Sequence, residues 1–257
     1  MKILILLTFL LLTACTATLP QHHITLNAPE KILTGIPTPL TISLLDRNNK
    51  PLPLEITHEK LLHIMIISEN FDTFTHLHPE TIDEVHNGNY TFTYNFPQAG
   101  TYLIGIDYQV QGERYNGKIH TTVQGIPTMQ TPIPDYRREL TIDSYTTNID
   151  TSKTITANIP TTITYTFENN EQPLTTIEPH LGAPLHIAVV SEDLKQFYHI
   201  HGTSPATTEH NHHTLQTYGP TIETTMTFPT PGTYYLFSTF QHEDTLVTNR
   251  FAIKVEE

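Results

Sequence analysis

The chain has 257 residues, a single cysteine, and 26 acidic against 13 basic side chains, giving a net charge of −13 with histidine neutral. That balance argues against nucleic acid as a partner and favours cation capture over attraction to anionic lipid. One cysteine leaves neither a disulfide framework nor a thiolate metal site, so stability must come from an ordinary core, and the length suits two domains of about 100–120 residues each.

Lys2 precedes an apolar run from Ile3 to Leu12, followed by Thr13, Ala14 and Cys15. A positive start, a short apolar segment and small residues before a cleavage point make residues 1–14 a signal peptide. The run is too short to span a bilayer as a mature helix. Leu12-Thr13-Ala14-Cys15 resembles the lipobox of bacterial lipoproteins, which implies lipidation of Cys15 and a mature chain beginning there. Residues 15–22 read as a lipidated tether. The expected location is exported and membrane-anchored, on the periplasmic or cell-surface side.

Beyond the tether, threonine, tyrosine, valine and isoleucine recur in short runs between turn signals, and no stretch carries a helical period. Leu40–Leu44, Tyr90–Tyr94 and Thr101–Ile106 read as strands, as do Thr162–Phe167 and Thr233–Phe237. Regularly spaced strands of this kind predict an all-β chain of antiparallel β-sandwiches.

The chain is internally repeated. Ile36-Pro37 matches Ile159-Pro160, and Phe96-Pro97 with Gly100-Thr101-Tyr102 matches Phe228-Pro229 with Gly232-Thr233-Tyr234. Repeat 1 is assigned to residues 23–124, a proline-containing linker to 125–139, and repeat 2 to 140–257. The Phe-Pro-x-x-Gly-Thr-Tyr element is assigned to folding, with proline and glycine turning the chain and tyrosine opening a core strand. Repeat 2 carries nine extra residues before Phe228, including His210, His212 and His213. That cluster and the pair His22-His23 could collect metal loosely or merely be solvated.

Three histidines per repeat are held at unchanged spacing. His63, His76 and His78 map onto His186, His199 and His201 by one shift of 123 positions, together with Ser68 to Ser191 and Phe74 to Phe197. Leu61–Ile67 reads as a strand buried on both faces, Ser68-Glu69-Asn70 as a turn, and Phe71–His78 as the returning strand. Side chains alternate along a strand, so His76 and His78 share a face. A turn centred near Asn70 brings His63 across from them, where opposed Cβ atoms lie about 4.5–5.5 Å apart. A slip of one residue would send His63 to the other face. His58 and His180 precede the two sets by five and six residues and are further candidate ligands. Met65 and Met226 read as core fillers.

Imidazole is costly to bury without partners for its nitrogens, and it is the commonest metal ligand. Ligand sets of imidazole without thiolate suit Cu(II), Zn(II) or Ni(II), and the affinity order favours copper. A blue-copper electron-transfer site, which needs a thiolate, is excluded.

Leu185–Leu194 with Phe197, His199-Ile200-His201 and the Phe-Pro-x-x-Gly-Thr-Tyr ending resemble the YtkA-like and cupredoxin-like domains of exported bacterial proteins, many of them lipoproteins. Both repeats share the resemblance, the first departing from it at Asn70 and Phe71. It implies tandem immunoglobulin-like sandwiches and, by association with copper handling, metal binding. The combined expectation is a lipid-anchored protein that sequesters or delivers copper or zinc through His63, His76, His78, His186, His199 and His201. The alternative is a non-catalytic cell-envelope interaction module with a protein partner and structural histidines. No catalytic triad or nucleophile elbow is evident, so no enzymatic activity is expected.

Overall fold

The computed structural model describes residues 22–79, 87–126, 133–151, 153–204 and 216–257. Cys15, the expected signal peptide and the cluster at His210, His212 and His213 lie outside the described residues. Those described form an all-β chain of two tandem immunoglobulin-like sandwiches.

Repeat 1 begins with β1 (His23–Asn27), β2 (Ile32–Leu33), β3 (Pro37–Leu45) and β4 (Leu62–Ser68), and continues with β5 (Phe74–Leu77), β6 (Asn89–Asn95), β7 (Gly100–Val110) and β8 (Glu113–Gln124). One sheet runs β1-β3-β6 and the other β2-β8-β7-β4-β5. Repeat 2 opens with an additional strand, β9 (Glu139–Ile142), beside β10 (Tyr145–Asp150). Then follow β11 (Ile155–Thr156), β12 (Pro160–Asn169), β13 (Gln172–Pro173), β14 (His186–Ser191), β15 (Phe197–His201), β16 (Thr221–Thr227), β17 (Gly232–His242) and β18 (Thr245–Glu256). Its second sheet, β11-β18-β17-β14-β15, repeats the strand order of its counterpart in repeat 1. In both repeats a two-residue strand pairs parallel with the last strand, Ile32 opposite Val123 and Ile155 opposite Val255.

The Phe-Pro-x-x-Gly-Thr-Tyr element closes each sandwich. Gly100 and Gly232 take φ of 130° and 133°, a region that side-chain-bearing residues avoid. Two residues on, Tyr102 and Tyr234 are fully buried, and their hydroxyls return 3.0 Å hydrogen bonds to the carbonyls of Gln98 and Thr230.

β4 is buried on both faces because it serves two cores. Leu62, Ile64 and Ile66 point into the core of repeat 1, whereas Met65 and Ile67 join Ala188, Val190, Phe197, Tyr235 and Phe237 of repeat 2 in a separate cluster. The five-stranded sheets of the two repeats therefore pack face to face. Strand alternation puts His63 on the same face as Met65 and Ile67, and His186 on the same face as Ala188 and Val190.

The interface has an approximate two-fold relation, with matched but unequal partners. Phe74 stacks on Phe237 with ring centroids 4.6 Å apart. In the reciprocal pair, Phe197 lies over Gly105, where a Cβ would sit 2.3 Å from its ring. Phe71 stacks on Tyr235 at 3.8 Å, and Arg250 of repeat 2 pairs with Asp72 of repeat 1 at 2.7 Å.

Candidate metal centre

The histidine hairpin forms with a longer turn than the sequence suggests. The return strand starts at Phe74, not Phe71. Phe71 belongs to the turn with φ of 59°, as does Leu194 with 58°. Ser68 Oγ donates to Asn70 Oδ1 and accepts from the Thr73 amide, and Ser191 does the same with Asp193 and Gln196. Among the described residues the turn takes no bond from the triad histidines; His120 donates to the Leu194 carbonyl at 3.1 Å.

Register then decides where the imidazoles fall. In repeat 2, His186 pairs directly with His201, and Ala188 with His199. In repeat 1 the same register pairs Met65 with His76 and Ile64 with Leu77, which carries His78 to a place across from His63. All six rings consequently face the neighbouring repeat.

In repeat 1, Nδ1 of His63 lies 3.2 Å from Nε2 of His76 and 3.0 Å from Nε2 of His78, and those two nitrogens are 3.2 Å apart. In repeat 2, Nδ1 of His186 lies 3.2 Å from Nε2 of His199 and 3.1 Å from Nε2 of His201. Three nitrogens around a tetrahedral ion at about 2.0–2.1 Å would be about 3.3 Å apart, so the triangle of repeat 1 has the dimensions of a ligand set. A closed triangle of imidazole nitrogens is poorly explained by hydrogen bonding. Each nitrogen supplies one proton or one lone pair in the ring plane, so all three edges cannot be satisfied at once.

The opposite ring nitrogens show which tautomers are present. Nε2 of His63 donates to the Thr57 carbonyl at 3.0 Å, and Nε2 of His186 to the His180 carbonyl at 2.7 Å. With Nε2 protonated, Nδ1 directs a lone pair into each triangle. Nδ1 of His199 donates to Oδ2 of Asp107 at 2.8 Å, freeing its Nε2 in the same way. Outer partners of this type are what orient metal-ligating imidazoles.

His58 and His180 are not a matched pair of ligands. Tight turns span residues 57–60 and 180–183, with positive φ at His58 and Glu59 and at Leu181 and Gly182. By position the counterpart of His180 is Thr57, and what the repeats share there is a backbone carbonyl. The His58 ring stacks on His201 of the other repeat at 3.7 Å, while the His180 ring bonds Gln241. Met65 lies in the interface cluster and Met226 in the core of repeat 2. His22 bonds the Tyr108 hydroxyl, away from the triads.

Asp107, Arg114 and Asn116 carry much of the arrangement and were missed from sequence. Asp107 is fully buried on β7, directly opposite His63. Its Oδ2 accepts from Arg114 at 2.7 Å as well as from His199, and its Oδ1 has no hydrogen-bond partner. Asn116 accepts the backbone amide of His199 at 2.9 Å. A carboxylate at the end of the apolar run Tyr102–Ile106 was the available signal.

Burial keeps the imidazoles neutral. His78 and His186 are pushed down to about 3, chiefly by burial and then by neighbouring charges, with the His180 carbonyl opposing the shift at His186. His76, His199 and His201 are lowered further, by burial first and then by mutual repulsion. His63 and His58 are lowered too, burial again leading. Asp107 is raised by burial, against the pull of the Arg114 guanidinium. Six uncharged nitrogen donors in one buried region can bind a cation without first losing protons near neutral pH.

The two triads are not isolated from each other. Ligand atoms of His76, His186 and His199 lie within 4.8 Å of one another, as do those of His63, His76 and His78. Ring centroids of His63 and His199 are 5.1 Å apart and those of His76 and His199 5.0 Å, no farther than the 5.4 Å between His63 and His76 of one repeat. The two equivalent sites expected from sequence adjoin across the repeats, and His76 lies close to both groups.

The model of the family described as "Domain of unknown function (DUF8832)" matches residues 17–125 and again 140–257. The chain belongs to this family and carries its domain twice. No curated protein sequence matches. Among solved structures, trypsin-activated α2-macroglobulin from Escherichia coli is similar over 91% of this chain and 15% of its own, with 13% identity and a TM-score of 0.27. Invasin, a bacterial integrin-binding protein, matches over 89% of this chain and 39% of its own, at 13% identity and TM-score 0.25. The D0-D1 domain of intimin matches over 91% and 99%, at 12% identity and TM-score 0.25. The chain thus spans a small part of the macroglobulin it matches, and likenesses this distant carry nothing about function.

Proposed function

We propose that this protein binds copper or zinc through His63, His76 and His78 of one repeat and His186, His199 and His201 of the other, to sequester or deliver the ion. The observation that carries this reading is the convergence of three imidazole nitrogens in repeat 1 at 3.0–3.2 Å, with two of the three corresponding approaches, 3.2 and 3.1 Å, in repeat 2. Second ring nitrogens committed to Thr57, His180 and Asp107 support it. The ligand chemistry favours copper among the divalent ions. The protein acts by binding and not by turnover, without nucleic acid, and an envelope protein is the natural recipient of a delivered ion.

The N-terminal pattern ending at Cys15 supports export and anchoring by lipid. The resemblance of both repeats to YtkA-like and cupredoxin-like domains agrees with copper handling at the cell envelope. The test is elemental analysis of untagged protein, followed by titration with Cu(II) and Zn(II) beside the double variant His76→Ala/His199→Ala. Tight binding that the double variant loses is the expected result. A metal-free protein whose weak titration is unchanged in the variant would instead leave a non-catalytic interaction module with structural histidines.

A further inference from the structure

The reading above treats metal as bound by two triads, and the following rests on it. We infer that the triads are two halves of a single two-metal centre straddling the domain interface, holding two first-row transition ions close enough to interact.

Three observations lead there. Rings of opposite repeats approach within the range found inside a repeat, His63 to His199 at 5.1 Å and His76 to His199 at 5.0 Å, against 4.5–5.4 Å within the triads. His76 belongs at once to the triangle of its own repeat and to a second set with His186 and His199. The cluster also sits on the approximate two-fold relation between the sheets, so ions held by equivalent triads must face each other across the interface. Paired ions in two-metal sites lie about 3.5–4 Å apart; Nε2 of His76 has one lone pair and serves one ion, and its approach to within 4.8 Å of the ligand atoms of His186 and His199 brings the two triads to that scale.

The halves are unequal, and the difference sets the order of filling. Residues opposite the first triad histidine are Asp107 in repeat 1 and Thr239 in repeat 2. The one carboxylate reaches across to His199 and is itself held by Arg114. A carboxylate acceptor fixes the ring and raises its basicity as a ligand, so the triad of repeat 2 fills first. The second ion enters against the charge of the first and binds more weakly. Each ion keeps coordination positions that three imidazoles do not fill. His76, His78 and His201 are only partly buried, whereas His63, His186 and His199 are buried, so those positions can be reached from the partly buried side.

Copper provides the probe. Full-length protein in detergent would be loaded stepwise with Cu(II), rinsed with glycine to strip loosely held ions, and followed by electron paramagnetic resonance with total copper measured in parallel. After one equivalent the integrated signal should match the copper present. After the second, signal per copper should fall and a half-field line should appear, and His76→Ala should return the spectrum to one isolated ion. Two equivalents giving full, uncoupled spin would overturn the shared centre while leaving the metal-binding reading intact. Retention of one equivalent only would also overturn it, pointing to a single ion in the mixed set of His76, His186 and His199. Retention of no copper would remove the underlying reading too.

Discussion

Nδ1 of His199, on β15 of the second repeat, donates across the domain interface to Oδ2 of Asp107, on β7 of the first, over 2.8 Å. Both side chains are essentially out of solvent, so the bond is strong and costly to leave unmade. It gives one repeat control over a ligand of the other. Arg114, paired to the same oxygen at 2.7 Å, pulls the carboxyl down against the larger upward shift from its burial.

Asp107→Asn should therefore weaken the repeat 2 triad more than the repeat 1 triad. The amide retains an acceptor for His199 but loses the charge and removes the ion pair of Arg114, whose other contact is Nδ1 of His201 at 3.4 Å. Loss of an outer-shell carboxylate typically costs about 10–100-fold in metal affinity. Competition against a chromophoric chelator should show that loss in one of two binding steps. An equal loss in both, or none, would mean that Asp107 only fills space.

Gly105→Val addresses the interface itself. A Cβ at this position would sit 2.3 Å from the Phe197 ring, and Gly105 lies in a strand where valine suits the local backbone. The repeat 1 sandwich should still form while the two sheets are forced apart, at a cost typical of overpacking, about 1–3 kcal/mol. Small-angle scattering should show an enlarged particle, and the second copper step should weaken with it. An unchanged particle with unchanged copper binding would show that Phe197 moves aside easily.

The contrast between Gly105 and its counterpart Phe237 also marks how far sequence alone reaches. The hairpins were legible because period-two alternation and an unchanged shift of 123 positions fix which face each histidine takes. The doubly apolar character of Leu61–Ile67 announced burial on both faces but not what lay on the second. Packing of one sheet on another depends on side chains far apart in the chain, so Phe74 on Phe237 and Phe197 over Gly105 had no local signature. Asp107 was hidden for the same reason: its partner His199 is 92 positions away. The candidates His58 and His180 fall at unequal positions in the two turns, whose shared feature is a backbone carbonyl, which any residue can supply. Matching residue types cannot detect that.

Metal removal should loosen the interface more than the sandwich cores. An ion that binds only the folded protein contributes about 2.7 kcal/mol when present at a hundred times its dissociation constant. Stripping copper or zinc with a chelator should lower the melting temperature. Hydrogen exchange should then rise first in β5 and β15, the edge strands carrying His76 and His199. Identical melting and exchange with and without metal would place the bound ion elsewhere on the chain.

Acid should destabilise the metal-free protein. In the unfolded chain the histidines protonate near their ordinary value of about 6.5, whereas in the fold His78 and His186 are pushed down to about 3, with burial the largest cause. Between those limits the unfolded state binds more protons than the folded one, so stability is at its full value above about pH 6.5 and falls as pH drops toward 3. His186, 2% exposed, contributes a slope of about 1.4 kcal/mol per pH unit in that window. His63, His76, His199 and His201 are lowered as well and act in the same direction. Asp107, raised by its burial, opposes them as a single group. Denaturant melts of metal-free protein at pH 7.5, 6 and 5 should give successively lower midpoints, and His186→Gln should flatten the series. A flat series in the unmodified protein would mean that the imidazoles find protons or solvent more readily than their packing allows.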